Sequence, residues 1–167
     1  MAKILIAGAG GAPSEGVINS LLSAGDNVVI GMGSEPTDLI LSNAQEKYYI
    51  PYADDPNYKN KLLALLNNQK PDLVHFQNDL EIYHASMFRD EITATGTKIF
   101  MPDHDVIDTC VHKHKSYLAF KKAGVPVPRN ITINNEHDLK EAFRSLGNSQ
   151  GKIWLRASSI GGGGKGE

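Results

Sequence analysis

The residues with the most chemistry to offer lie late in the sequence, where GKIWLRASSIGGGGKGE runs from Gly151 to Glu167. An apolar run from Lys152 to Leu155 ends in Arg156, and Gly161, Gly162, Gly163 and Gly164 lead through Lys165 to Gly166. Glycines carry no Cβ and tolerate positive φ, so successive backbone N–H groups can converge on phosphate oxygens, while Arg156 and Lys165 add full positive charge. A plain terminal linker would need no strand ending in an arginine. The stretch therefore predicts a strand followed by a polyanion-binding loop.

Other clusters deserve the same test. Gly8, Gly10 and Gly11 follow a short apolar run and suggest a dinucleotide turn, but the third glycine of a GxGxxG pattern falls on Pro13. The second strand also ends at Gly31, Met32 and Gly33 instead of an acidic ribose ligand, with Glu35 the nearest candidate. Gln77-Asn78-Asp79-Leu80-Glu81 follows a strand, at the edge where open α/β sheets bind ligands. Asn78, Asp79 and Glu81 are thus candidate substrate-facing residues, and Asn78 or Asp79 equally suits a cap for a helix reaching Ala94. Asp103-His104-Asp105 contains metal-ligating types, yet three adjacent side chains seldom converge on one ion, and either aspartate can cap the next helix. His112 and His114 stand roughly 200° apart around a helix and cannot chelate one ion. Cys110 reads as a buried structural thiol.

Positioning these residues requires an alternation of strands and helices. Lys3 to Ala7 predicts a central parallel strand, Ser14 a cap for a helix from Glu15 to Ala24, and Asn27 to Gly31 a second strand. Short strands at Lys47 to Ile50, Leu73 to Phe76 and Lys98 to Met101, with a helix at Asn57 to Gln69, continue the pattern. The expected fold is an open, doubly wound, mostly parallel α/β sheet over residues 1–102. A second unit, 103–167, begins after Pro102 with a helix from Val111 to Ala123, stopped by Gly124 and the Val125-Pro126-Val127-Pro128 run. A short strand at Ile131 to Ile133 and a helix capped by Asn135 follow.

With 41% apolar residues, 22% charged residues and a net charge of −2 over 167 residues, the chain reads as an ordinary globular protein. That balance offers no general affinity for nucleic acid or acidic membranes. The single cysteine excludes an internal disulfide and predicts a reducing, cytoplasmic setting. The start, MAKILIAGAGG, is superficially like a signal peptide, but its apolar run is too short and breaks at glycines, so it reads as a buried strand.

The order of parts resembles the ATP-grasp superfamily of ligases, including the large subunit of carbamoyl phosphate synthetase and the carboxylate-amine ligases. The segment from Lys113 to Pro128 is similar to the family helix in which a basic residue precedes a Gly-x-Pro-x-Pro stop. Ile153 to Arg156 looks like the strand whose last residue touches nucleotide phosphate, and Gly161 to Gly166 like the loop that closes over the phosphates. The resemblance implies a Rossmann-like pre-ATP-grasp domain at 1–102 and the start of an α+β ATP-grasp lobe at 103–167. It implies ATP and magnesium as cofactors and a carboxylate activated as an acyl phosphate, then joined to an amine or similar nucleophile. Lys113 and Arg156 would contact the nucleotide, with Gly161, Gly162, Gly163, Gly164 and Lys165 in the flap.

In the family the magnesium-holding Glu and Asn lie downstream of that loop, so no metal ligand or catalytic residue is assigned within these residues. The chain alone is expected to be inactive, completed by a missing C-terminal half or partner chain, with homo-oligomerisation open. Two other readings stand beside this one. The first is an NAD(P)-binding oxidoreductase or epimerase domain using Gly8 to Gly11. The second is a noncatalytic regulatory or assembly module that docks through the unpaired strand near Trp154.

Overall fold

A computed structural model describes residues 1–156. The chain divides into two compact units, Met1–Ile107 and Asp108–Glu167. In the first, five parallel strands form one sheet in the order β3-β2-β1-β4-β5. Strand β1 (Lys3–Ala7) is the centre, and Leu5, Ile6 and Ala7 within it are fully buried. Both faces of such a strand are covered, which is why its sequence is continuously apolar. It pairs in register with β2 (Val28–Gly33), Lys3 opposite Val28 and Ala7 opposite Met32, and with β4 (Leu73–His75), Ile4 opposite Leu73. The edges are β3 (Glu46–Tyr49) and β5 (Lys98–Ile99), the latter shorter than the expected Lys98 to Met101. It ends because Phe100, 89% exposed, has left the sheet.

The crossovers are helical. Helix α1 (Ala12–Ser23) starts earlier than expected, with proline in its first turn and Gly11 as N-cap. Ser14 is therefore not the cap: its hydroxyl donates to the Ala7 carbonyl at 2.8 Å and pins the first turn to the end of β1. A short helix that the sequence did not announce, α2 (Pro36–Leu41), packs Leu39 into the cluster of Ile4, Ile6, Ala9, Ile18, Val29 and Ala44. Helix α3 (Tyr58–Gln69) buries Tyr58, Leu62 and Leu66 on one stripe and stops at Lys70 in the left-handed conformation, φ 47°. The helix expected to reach Ala94 is two: α4 (Asp79–Ser86) and α5 (Arg89–Ala94). The break lets Phe88 turn inward, 8% exposed, edge-on to the Tyr58 ring at 6.4 Å. Burying such a ring contributes roughly 2–3 kcal/mol, more than the helical hydrogen bonds forgone.

Helix α6 (His104–Val111) runs across the boundary between the units. Ile107 and Val111, four apart, form its buried line, and Cys110 lies off that line and is exposed, contrary to the expectation of a buried thiol. In the second unit α7 (Lys113–Lys122) ends at Gly124, φ 75°, where Val125 N–H returns to the Phe120 carbonyl at 3.0 Å. Helix α8 (Glu136–Leu146) is capped as expected: the Asn135 side chain accepts from Asp138 N–H at 3.0 Å. The expected strands at Ile131 to Ile133 and Lys152 to Leu155 are not strands here. A strand needs a paired neighbour to satisfy its backbone, and among the described residues of this unit none is offered. Its apolar side is correspondingly bare: α7 buries no residue, α8 buries only Ala142, and Trp154 is 90% exposed.

Candidate functional site

Successive connections in the first unit carry the chain from β1 to β2 and β3 on one side, and then to β4 and β5 on the other. The sheet therefore has a switch point between β1 and β4, and the crevice beyond their carboxyl ends is the place where open α/β sheets take ligands. Four residues meet there. Gly8, φ +67°, ends β1, and a Cβ added to it would lie 3.2 Å from Ser14 Oγ, 3.7 Å from Asn78 Nδ2 and 3.8 Å from Glu81 Oε2. Asn78 is the N-cap of α4: its Oδ1 accepts from Glu81 N–H at 2.7 Å, while its Nδ2 donates to Glu81 Oε2. This is a reciprocal brace of the capping-box kind, and it aims the glutamate inward.

Glu81 is consequently 7% exposed. Burial pushes its carboxyl up to about 7, against a smaller downward pull from the Asn78 hydrogen bond. Near neutrality the group is thus divided between acid and base, able to donate or accept a proton. On α3, Tyr58 is 1% exposed and its hydroxyl has no hydrogen-bond partner among the described residues. Burial first, and the Glu81 charge second, push that phenol upward. Of the three expected substrate-facing residues, Asn78 and Glu81 come together, whereas Asp79 stands exposed in the first turn of α4, where its charge favours the helix dipole. Tyr58 and Ser14 were not expected in this cluster. The Asn-x-x-Glu spacing could have signalled the Asn78–Glu81 brace, but nothing local to Tyr58 could have signalled its place.

The glycine turn itself is filled from within. Glu15 accepts from Gly10 N–H and from Asn43 N–H, each at 2.9 Å. Burial works to raise its carboxyl, but bonds from Ser42, Asn43 and Gly10, with the Lys47 charge, hold it below the usual range. At Gly10, φ +92°, a Cβ would sit 2.0 Å from the Asp38 carbonyl oxygen, so this glycine exists to admit α2. These positions have a packing reason that needs no dinucleotide, and an internal carboxylate takes the Gly10 amide that a pyrophosphate would need.

The Asp103-His104-Asp105 side chains part company: Asp103 pairs with Arg89, and His104 Nδ1 meets Ser86 Oγ at 2.7 Å. The Ser86 hydroxyl also donates to the Tyr83 carbonyl at 2.6 Å, so it acts there as an anchor between α4 and α6.

In the second unit Lys113 opens α7, half-buried, with Nζ 3.4 Å from the Val111 carbonyl. Lys115 pairs with Asp108. Arg156 is exposed and has no ion pair among the described residues. That leaves its guanidinium chemically suited to a phosphate. Gly161, Gly162, Gly163, Gly164 and Lys165 lie outside the described residues. Across the described chain no helix is long and apolar enough to cross a membrane.

No protein-family model and no curated protein matches the sequence. Solved structures do match. N5-carboxyaminoimidazole synthetase from Staphylococcus aureus, complexed with ADP, is 18% identical, with a TM-score of 0.67 over 96% of this chain and 39% of that one. The biotin carboxylase domain of Hydrogenobacter thermophilus 2-oxoglutarate carboxylase, solved as a dimer with MgADP and bicarbonate, is 22% identical, with a TM-score of 0.62 over 98% of this chain and 36% of that one. L-amino acid ligase from Bacillus licheniformis is 10% identical, with a TM-score of 0.53 over 87% of this chain and 42% of that one. The chain thus spans well under half the length of the structures it resembles. A parallel sheet with its switch point at β1 and β4, followed by the helices α6 to α8, is the fold of the N-terminal portion of the ATP-grasp ligases.

Proposed function

We propose that this chain is the N-terminal part of an ATP-dependent ligase that activates a small carboxylate, or bicarbonate, and joins it to an amine or similar nucleophile. The observation that carries the reading is the match of 96% of this chain to a little over a third of an ADP-bound synthetase. Residues 1–102 form the substrate-presenting α/β domain, and 103–167 begin the nucleotide-holding lobe. ATP, with magnesium, supplies the phosphoryl group when bound. Lys113 and Arg156 provide cationic contacts to its phosphates, and Gly161, Gly162, Gly163, Gly164 and Lys165 provide amide donors and charge in a closing flap. Asn78 and Glu81, with Asp79 at the rim, line the crevice that receives the small substrate. The magnesium ligands come from polypeptide beyond these residues.

Support for that division also comes from the bare apolar surface of the second unit, with Phe120 55%, Phe143 46% and Trp154 90% exposed. Faces of this kind call for a covering segment, whether a continuation of the chain or a partner. The single cysteine supports a reducing, cytoplasmic setting. Homo-oligomerisation is part of the proposal, since the H. thermophilus domain is a dimer.

Nucleotide titration of this chain, beside the same chain supplied with a C-terminal ATP-grasp half, tests the reading. Tight MgATP binding is expected only in the completed protein, and Arg156→Ala and Lys113→Ala should each weaken it about tenfold or more. If the completed protein takes no ATP, the ligase reading is wrong. The exposed Trp154 also favours a second reading, a noncatalytic module that docks on a partner. A strictly monomeric species by light scattering at high concentration would count against that one.

A further inference from the structure

We propose that Glu15 is an acid-released clasp: its two carboxylate oxygens hold the glycine turn after β1 against the α2–β3 connection, and uptake of a proton lets the two part. Oε1 accepts from Gly10 N–H and Oε2 from Asn43 N–H, each at 2.9 Å. The two amides belong to different connections, and one side chain of α1 joins them. Two converging N–H donors need two acceptor oxygens, which a carboxylate supplies and a side-chain amide does not. One helical turn further along α1, Asn19 Oδ1 accepts from the Asn43 side chain at 2.9 Å and steadies the same connection. With no side chains at Gly8, Gly10 and Gly11, the turn relies on its backbone partners. Gly11 N–H donates to the Gly8 carbonyl at 3.1 Å, which carries the restraint at Gly10 to the Gly8 wall of the crevice.

Burial by itself would favour the protonated acid, but the surroundings outweigh it and hold the carboxyl below its usual 4.5. Ser42 and Asn43 donate from the α2–β3 connection and Gly10 from the turn, while from β3 Lys47 adds positive charge, its Nζ donating to the Ile40 carbonyl at 2.9 Å. On α1 the carboxylate stands in the first turn, where the helix dipole favours an anion. Helix α2 meets the turn with the Asp38 backbone carbonyl, and the Asp38 side chain is exposed. The clasp is therefore closed at neutral pH and opens as pH falls through the lowered native value. A protonated carboxyl keeps one good acceptor and sets its O–H against the other amide, donor facing donor. One N–H is left unbonded, and the connection separates from the turn that walls the crevice.

The clasp requires nothing of the ligase reading, and no nucleotide enters its test. NMR of the whole chain, labelled with carbon-13 and nitrogen-15, follows the Glu15 carboxyl and the Gly10 and Asn43 amides as pH falls. Expected is one midpoint below 4.5 shared by all three signals. Across it, exchange protection should drop about tenfold or more at one or both amides, while Ala9 N–H, bonded to the Met32 carbonyl at 3.0 Å, stays protected. Glu15→Gln, with a single acceptor oxygen, should show the open state at neutral pH, one of the two amides about tenfold less protected and neither titrating with that midpoint. A Glu15 midpoint at 4.5 or above overturns the clasp, as do Gly10 and Asn43 amides that fail to move with it. Should acid unfold the chain first, so that Ala9 N–H is lost as well, Glu15→Gln decides at neutral pH, and unchanged protection at both amides overturns the clasp. Should that variant not fold, the wild-type titration decides.

Discussion

Glu81 and Gly10 show how differently single residues answer for a fold. Glu81 is held inward by Asn78 at a cost in stability, because a carboxyl raised from 4.5 to about 7 in the native state ionises more easily once unfolded. Its favourable contribution is complete below the unfolded value and disappears as pH climbs through the native one. The chain should therefore lose stability between about pH 4.5 and 7, by a few kcal/mol at most. Glu81→Gln should flatten that slope and melt higher than the parent at pH 8, as urea titrations at several pH values would read. Gly10 has no such latitude. An alanine there combines a positive φ with a Cβ inside the Asp38 carbonyl, so Gly10→Ala should destabilise by about 3 kcal/mol or more. A denaturation midpoint left unchanged would mean that α2 is not seated as described. Gly8, Gly10 and Gly11 were legible as a sharp turn, but their reason, making room for α2, was not, because α2 sends no periodic signal over so few residues.

Among the elements, the sequence announced those whose stability is local or whose burial is uniform. The apolar runs of β1 and β4, the Leu62 and Leu66 stripe of α3 and the Asn135 cap of α8 all carry their own signature. Asn135→Ala should cost about 1 kcal/mol of α8, seen as faster amide exchange in its first turn; equal exchange would remove the cap from the account. What misled were elements decided by partners. The helix to Ala94 divides because Phe88 is worth more against Tyr58 than on a continuous helix surface. Ile131 to Ile133 has strand composition without a strand beside it among the described residues. At the candidate site, Asn78 and Glu81 stood out as polar residues after a strand, whereas Tyr58 could be placed only by the packing of α3.

At the scale of the whole molecule, the two units differ in how much of their apolar content is covered. Among the described residues the largest fully buried side chains, from Leu5 to Ile92, all belong to Met1–Ile107, and α7 contributes none. Limited proteolysis should therefore cut first after residue 111 and leave a resistant fragment close to Met1–Ile107, as mass spectrometry would show. Primary cuts within β1 to β4 would contradict this distribution of the core. Strand order has a further consequence, for the timing of synthesis. The first strand made, β1, occupies the middle of the sheet, and one of its two neighbours, β4, is not made until Leu73–His75. A nascent chain on the ribosome holds this apolar segment incompletely covered until β4 is made, with β2 (Val28–Gly33) its one earlier neighbour, an interval in which chaperone binding at Ile4 to Ala7 is to be expected.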